Sequence, residues 1–258
     1  MPSRYFAFGC SYVDSRWGTV ADLIGANFDE YYNAGRAGSC NTHTLERFIE
    51  LDNIHHFSST DFITIGVTGF YRFSIVDIEN HVWLTPGDNI GFDNYSHEKI
   101  KLIRQIDNVN WAVYRSWTAI NALSKILKSR NIKHIIYPSM DNLLFLTDHP
   151  TTDNSKRKVH EILELCDIQE SLDEFITENY TKRGIDYDDG SSDDHPTQTQ
   201  HYDYLKKHFP EYDTDKTKKQ FEYLESIFTK TSMNTQTLNM TKYFKNTHRK
   251  HLGSLWTP

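Results

Sequence analysis

Three short stretches of the sequence carry residue types that can perform acyl-transfer chemistry. Ser11 lies in FGCSYV, directly after a short apolar run and a glycine. Gly38 and Asn41 lie in NAGRAGSCN, and His195 lies in SSDDHPTQTQ. A serine hydroxyl becomes a nucleophile when an imidazole takes its proton, and N–H groups can then hold the oxyanion that forms. These groups could carry out acyl transfer if the fold brings the three stretches together, whereas each stretch taken alone is also typical of an ordinary turn or a helix-capping loop.

The residues around His195 fit the role of an oriented base. Asp193 and Asp194 precede it, and a carboxylate on one ring nitrogen fixes the tautomer and stabilises the imidazolium. The tetrapeptide DHPT occurs twice in the sequence, once around His195 and once around His149. We favour His195, because its tetrapeptide leads directly into an apolar-faced helix and the other leads into a polar stretch. We expect Pro196 in the first turn of that helix, where its missing N–H costs little.

Cys10 is the alternative nucleophile, because thiols at helix starts can be reactive. Adjacent side chains on an extended segment point to opposite faces, so only one of Cys10 and Ser11 can face the histidine. We favour Ser11.

The histidines and cysteines do not suggest a metal. The three cysteines form no CxxC pair, so neither a disulfide framework nor a structural zinc site is expected. The pairs His55–His56 and His248/His251 have no carboxylate or cysteine cluster at ligand spacing. We therefore expect no metal and no cofactor.

The elements that would position these residues alternate between strand and helix. Buried-strand patterns occur at residues 5–9, 30–33, 61–67 and 133–138. Helical patterns begin at Asp14 or Ser15 (with Trp17 on the apolar face), after NAGRAGSCN, and near residue 110. This order predicts an α/β fold, a three-layer α/β/α sandwich with a central parallel sheet. Ligands bind at the carboxyl ends of the strands in such sheets, where Ser11 would lie.

Two regions interrupt the alternation. We assign residues 1–210 to the α/β domain, and residues 70–106 within it look like an insertion or a cap over one end of the sheet. Residues 211–258 form a C-terminal extension with a charged helical stretch and a polar, basic tail. We expect that tail to be a solvated arm, with docking to a protein partner as the alternative.

The composition excludes several classes of protein. The chain has 258 residues and a formal net charge of -7, which argues against a nucleic-acid footprint over the whole chain. No apolar run approaches the roughly 20 residues of a membrane span. The start, MPSRYFAFGCSYV, lacks the pattern of a secretory signal. We expect no nucleic-acid or membrane partner, and synthesis in the cytoplasm.

Together, the three stretches resemble the sequence blocks of the SGNH (GDSL-type) hydrolase superfamily. They are most similar to the small SGNH-like proteins encoded by tailed bacteriophages. FGCSYV resembles the first block, with the nucleophilic serine, and NAGRAGSCN resembles the second, whose glycine N–H joins the oxyanion hole. DDHPTQTQH resembles the last block, with the catalytic histidine before a proline. The likeness covers about residues 4–72 and 108–208.

The resemblance implies an esterase with Ser11 as nucleophile, His195 as general base and then acid, and Gly38 as an oxyanion donor. It implies a small acyl-ester substrate, with O-acetyl groups on a carbohydrate as the leading example. A phage origin would place the protein in the host cytoplasm or in the virion.

The sequence departs from the family pattern around the oxyanion hole. Cys10 stands where the family usually has an Asp before the nucleophile. That Asp is not a member of the catalytic triad. Thr68 stands where the third block, GxND, carries an oxyanion-binding Asn. Thr68, Asn41 or Arg72 could substitute for that donor, whose loss typically costs about 10²–10³ in rate.

The acidic position also departs from the pattern. Ser192 replaces the Asp three residues before His195, so Asp193 is predicted to orient the ring. If no aspartate reached the ring, a Ser–His dyad would remain. These departures support a second hypothesis, in which the protein is a catalytically weak or inactive binding or structural module, such as a virion or assembly component.

Overall fold

A computed structural model describes residues 3–15, 17–70, 72–77, 82–87, 109–143, 151–236, 239 and 249–251. The strands are β1 (Arg4–Phe8), β2 (Glu30–Asn33), β3 (Asp61–Val67), β4 (Phe73–Asp77), β5 (Val82–Gly87), β6 (Lys133–Pro138), β7 (Ile185–Asp186), β8 (Ser192–Asp193) and β9 (Arg249–His251). The helices are α1 (Val20–Gly25), α2 (Asn41–His55), α3 (Val109–Ser129), α4 (Asp153–Glu164), α5 (Leu172–Asn179), α6 (Gln198–His208) and α7 (Asp215–Ile227).

A parallel sheet with strand order β6–β3–β1–β2 lies at the centre of the molecule, with the short β9 beside β2. Side chains of β1 alternate between two cores. Tyr5 and Ala7 pack with α1, α5, α6 and α7, whereas Phe6 and Phe8 pack with α2, α3 and α4. Helices therefore cover both faces of the sheet, and the predicted three-layer α/β/α architecture is confirmed.

The strand order creates a crevice at the carboxyl edge of the sheet. From β1 the chain runs to β2 on one side, and β3 then pairs with β1 on the other. At such a switch point the connections leave in opposite directions, and open α/β sheets bind ligands there. Ser11 follows β1 directly, so the fold places it at this crevice.

Most predicted elements are confirmed, but the first helix begins later than predicted. The N-cap of α1 is Thr19, whose N–H donates to the carboxylate of Asp22 at 3.0 Å. Trp17 precedes the helix and packs instead against Ile185 and Tyr187. An acidic residue three positions after a threonine forms a stronger helix start than Asp14 or Ser15 can provide here.

The helix after His195 also begins later than predicted. Its N-cap is Thr197, whose hydroxyl accepts the N–H of Gln200, so Pro196 lies one residue before the cap. The sequence TQTQ at residues 197–200 offers a complete capping box one residue further along, and this decides the start. The position predicted for Pro196 is therefore wrong.

The insertion between β3 and α3 contains an antiparallel hairpin of β4 and β5. Residues 78–81 and 88–108 lie outside the described residues. The role of residues 70–106 as a cap stays a prediction.

The C-terminal extension contributes to the core of the domain. Helix α7 carries Leu224, which is fully buried and packs where Gly18 has no Cβ. The strand β9 pairs in parallel with Tyr31–Asn33, so the solvated arm predicted for the tail is wrong for these three residues. An open strand edge is a ready template for backbone pairing, which accounts for the difference. The other tail residues, 240–248 and 252–258, lie outside the described residues.

None of the helices in the described residues combines the length and the apolar content needed to cross a bilayer.

Because Leu224 is buried, a substitution there tests whether the C-terminal extension contributes to the stability of the domain. We expect Leu224→Ala to lower the free energy of unfolding by about 2–5 kcal/mol, because it leaves a cavity between α7 and α1. Leu143→Ala, the same change at a half-exposed site, is the control and should cost under about 1 kcal/mol. Urea denaturation measures both. Equal losses in the two variants would show that α7 does not belong to the cooperative core.

Candidate active site

Ser11 lies in a tight turn after β1. The N–H groups of Val13 and Asp14 both donate to the carbonyl oxygen of Cys10, at 3.0 and 3.1 Å, and this closes the turn. Helix α1 begins only at Val20, so the helix N-terminus expected beside Ser11 is not there. That prediction is wrong, and the backbone N–H of Ser11 belongs to a turn rather than to the start of α1.

Ser11, His195 and Asp193 form a continuous hydrogen-bonded chain. His195 Nε2 lies 2.8 Å from Ser11 Oγ, and His195 Nδ1 lies 2.6 Å from Asp193 Oδ1. A carboxylate only accepts, so the proton belongs on Nδ1, and Nε2 is left to accept from the serine hydroxyl. Both distances lie within the roughly 2.6–3.2 Å over which a base can take a proton.

Exposure differs along this chain of groups. The side chain of Asp193 is 6% exposed and that of His195 is 40% exposed, and Ser11 is 5% exposed. Asp193 Oδ1 also accepts the backbone N–H of His195 at 3.0 Å. The acid is therefore shielded from water and fixed, whereas the imidazole faces the crevice. Asp194 is exposed to solvent and does not take the position beside the ring.

A small antiparallel ribbon of β7 and β8 presents the acid. Gly184, just before β7, has φ +75°, and a Cβ there would lie 2.1 Å from the carbonyl oxygen of Asp193. Only glycine fits both that conformation and that close approach. Trp17 supports the other side, since its indole N–H donates to the carbonyl oxygen of Pro196. The sequence analysis missed both residues, because neither carries a reactive group.

The NAGRAGSCN turn lies beside the Ser11 turn. The carbonyl oxygen of Gly9 accepts from the N–H of Arg36 at 3.0 Å and from the hydroxyl of Ser39 at 2.9 Å. Between those two residues Gly38 has φ +74°, a conformation that favours glycine. The buried Asn33 adds a second link by donating to the carbonyl oxygen of Val13 at 2.8 Å. The predicted oxyanion glycine is thus held on the segment next to Ser11.

Asn41 and Thr68 are held in structural hydrogen bonds. Asn41 Oδ1 accepts the N–H of Thr68 at 3.0 Å, and Asn41 Nδ2 donates to the carbonyl oxygen of Thr68 at 3.1 Å. The Thr68 hydroxyl donates to the sulfur of Met140 at 3.6 Å. Arg72 is half-buried in the turn after β3, where its N–H donates to Gly69. These residues fix the end of β3, and the hydrogen bonds of Asn41 and Thr68 run to Thr68 and Met140 rather than to Ser11.

Cys10 points away from the imidazole. Its side chain is fully buried, and its sulfur lies 3.9 Å from the hydroxyl oxygen of Ser139. Of the two adjacent candidates, Ser11 is the one that contacts His195.

The remaining candidates do not join the site. His149 and His248 lie outside the described residues. His55 packs against the rings of Phe6 and Tyr32 at the other end of the sheet. Within the described part of the chain, no group of three or more His, Cys, Asp or Glu side chains is arranged to hold a metal ion.

A second histidine is buried close behind the site. His201, in the first turns of α6, is fully buried, and within the described residues neither ring nitrogen has a hydrogen-bond partner. Burial, and after it the nearby His195 when charged, lower its pKa to about 3. His201 is therefore neutral and belongs to the packing of the domain rather than to the hydrogen-bonded chain.

No protein-family model matches the chain, and no curated protein matches it. The functional interpretation therefore depends on the site geometry and on the resemblance of the three motifs.

The burial of His201 predicts a stability that depends on pH. Its folded pKa of about 3 lies below the ordinary value of 6.5, so the unfolded chain binds more protons between these values. The stabilisation is complete above about pH 6.5 and is lost as the pH falls toward 3. His201→Leu should remove this contribution and reduce the slope of unfolding free energy against pH by up to about 1 kcal/mol per unit. Urea denaturation from pH 7 to 4 tests this, and an unchanged slope would contradict it.

Proposed function

We propose that this protein is a serine esterase of the SGNH type that hydrolyses a small acyl ester, with carbohydrate O-acetyl groups as the leading substrate. The observation that carries the proposal is the hydrogen-bonded chain from Ser11 through His195 to Asp193. Two segments distant in sequence, the turn with Ser11 and the stretch with Asp193 and His195, meet to form it at the edge of the sheet where this fold class binds ligands. The choice of an acetylated glycan, and a place in the host cytoplasm or virion, rest on the motif resemblance.

The geometry supports a two-stage hydrolysis. Ser11 Oγ attacks the ester carbonyl carbon as His195 Nε2 takes the hydroxyl proton, and the carbonyl electrons move onto the oxygen. The imidazolium, stabilised by Asp193, then gives that proton to the departing alcohol as the C–O bond breaks. Water repeats the sequence on the acyl-serine, which releases the acid and restores Ser11.

The oxyanion would be held by backbone groups. The N–H of Ser11 and the N–H of Gly38 are the proposed donors, and both turns are joined through the carbonyl oxygen of Gly9. Donors fixed before the reaction need no reorganisation when charge develops, so they stabilise the transition state efficiently.

The burial pattern supports a small acyl group. Ser11 is almost fully buried, whereas the imidazole beside it is substantially exposed. The alcohol part of the ester would therefore extend outward past His195, and a small acyl group suits a serine with so little exposed surface.

A binding or structural module of the same fold is the second candidate. The observation that favours it is that Asn41 is bonded to the backbone of Thr68 and the Thr68 hydroxyl to the sulfur of Met140, so the structure gives neither side chain a contact with Ser11. One missing oxyanion donor lowers rates by about 10²–10³. In this alternative the tail could dock a protein partner.

Hydrolysis of p-nitrophenyl acetate tests the proposal. We expect Ser11→Ala and His195→Gln each to lower kcat at least about 10³-fold, because either change removes the nucleophile–base pair. The two changes combined should cost no more than either alone, because the residues act as a unit. Cys10→Ala is the matched control at the adjacent position and should keep most of the activity. Equal rates for wild type and Ser11→Ala would contradict the esterase proposal and favour the binding module.

A further inference from the structure

A partly buried polar cluster lies directly beside the proposed catalytic histidine. It consists of Tyr12, Asp173 and Arg183, which we call the Tyr12 cluster. The Tyr12 hydroxyl donates to Asp173 Oδ1 at 2.8 Å, and Arg183 Nη1 donates to the same carboxylate oxygen at 2.7 Å and to the Tyr12 hydroxyl oxygen at 3.0 Å. The three groups thus form a closed triangle of hydrogen bonds.

The Tyr12 cluster contacts the site through the tyrosine ring. Tyr12 follows Ser11 in the chain, and its ring lies edge-on to the imidazole of His195, with centroids 6.0 Å apart and an interplanar angle of 77°. Burial and the Asp173 carboxylate raise the pKa of Tyr12 well above its usual value, so the hydroxyl stays protonated and keeps donating. The face of the imidazole is therefore packed against a ring that cannot move freely.

Each member of the cluster comes from a different part of the site. Tyr12 belongs to the nucleophile turn and Asp173 to the first turn of α5, where it also accepts the N–H of Asp141 at 3.3 Å. Arg183 directly precedes Gly184, which contacts the backbone of the ribbon that presents Asp193. The cluster therefore joins the serine-bearing turn to the segment that carries the acid and the base.

We propose that Arg183 is a positioning residue for the Ser11–His195–Asp193 chain, acting through Tyr12 and Asp173 to fix the imidazole between serine and acid. This inference rests on the proposed function. Arg183 contacts neither Ser11 nor His195 in any hydrogen bond of the described residues, so its effect is transmitted by the tyrosine ring and by the ribbon. The reacting groups must be held closely, because a misplacement of about 1 Å can cost a hundredfold in rate.

The ion pair itself contributes little to folding stability. The side chain of Arg183 is 41% exposed, and exposed pairs have small effects on the free energy of unfolding. Variants at Arg183 should therefore fold. Both of its contacts come from one nitrogen, so a lysine ammonium can replace them, whereas glutamine is shorter and uncharged.

The experiment compares four full-length proteins: wild type, Arg183→Gln, Arg183→Lys and Arg130→Gln. Arg130 is the matched control, because its side chain is 36% exposed and pairs with Asp52 at the opposite edge of the sheet. The readouts are kcat and KM for p-nitrophenyl acetate, and proton–nitrogen NMR of the His195 ring, assigned by its loss in His195→Gln. Tyr12→Phe is a second variant, which removes the hydroxyl and keeps the ring.

We expect Arg183→Gln to lower kcat about 10–100-fold with KM nearly unchanged, and to shift the ring signals of His195. Tyr12→Phe should act in the same direction, Arg183→Lys should stay close to wild type, and Arg130→Gln should leave both readouts unchanged. If Arg183→Gln behaves like Arg130→Gln in both readouts, the positioning role is wrong. If wild type does not hydrolyse the ester, the esterase proposal fails, and the NMR comparison alone decides whether Arg183 positions His195.

Discussion

The hydrogen bond between the Asp193 carboxylate and His195 Nδ1 is the interaction on which the site depends. It determines which ring nitrogen carries the proton, and only one tautomer lets Nε2 accept from the Ser11 hydroxyl. The bond is short and shielded from water, and the same carboxylate oxygen also holds the backbone of the histidine. The ribbon of β7 and β8 and the close backbone approach at Gly184 keep this carboxylate in place.

The fold supplies the meeting point for the groups that react. Because β1 lies at the centre of the sheet, the turn after it faces segments from both sides of the switch point. The NAGRAGSCN turn arrives from β2 and is fixed to the carbonyl oxygen of Gly9. The ribbon of β7 and β8 arrives from the other direction, and it requires Gly184 and Trp17 to hold its position. The strand order creates the crevice, whereas these local contacts hold the reacting side chains at their positions within it.

The sequence predicted the parts of this structure that have a strong periodic or chemical signal. Buried strands such as Asp61–Val67 are apolar runs that few other structures accommodate, and the alternation of strands and helices determines the three layers. Ser11, His195 and Asp193 could be selected because hydroxyl, imidazole and carboxylate groups perform a known reaction together. The structure brings these three side chains into contact, whereas their catalytic role remains a proposal.

Other features could not be predicted because they depend on contacts between distant segments. The start of α1 at Thr19 has a local signal in Asp22, but the contacts of Trp17 with Ile185 and Tyr187, which keep it out of the helix, exist only in the folded chain. Asn41 has the chemistry of an oxyanion donor, but its amide oxygen and one of its N–H groups are bonded to the backbone of Thr68. Nothing in the sequence around Arg183 marks it as part of a site, because its contact with Tyr12 exists only in the folded chain.

The most direct measurement is covalent labelling with a fluorophosphonate, followed by peptide mapping with mass spectrometry. Such a probe phosphonylates a serine only where a base activates its hydroxyl. The account predicts one adduct, on Ser11, which is absent in Ser11→Ala and forms far more slowly in His195→Gln. A wild-type protein that stays unlabelled at Ser11, or that labels equally fast without the His195 imidazole, would contradict it.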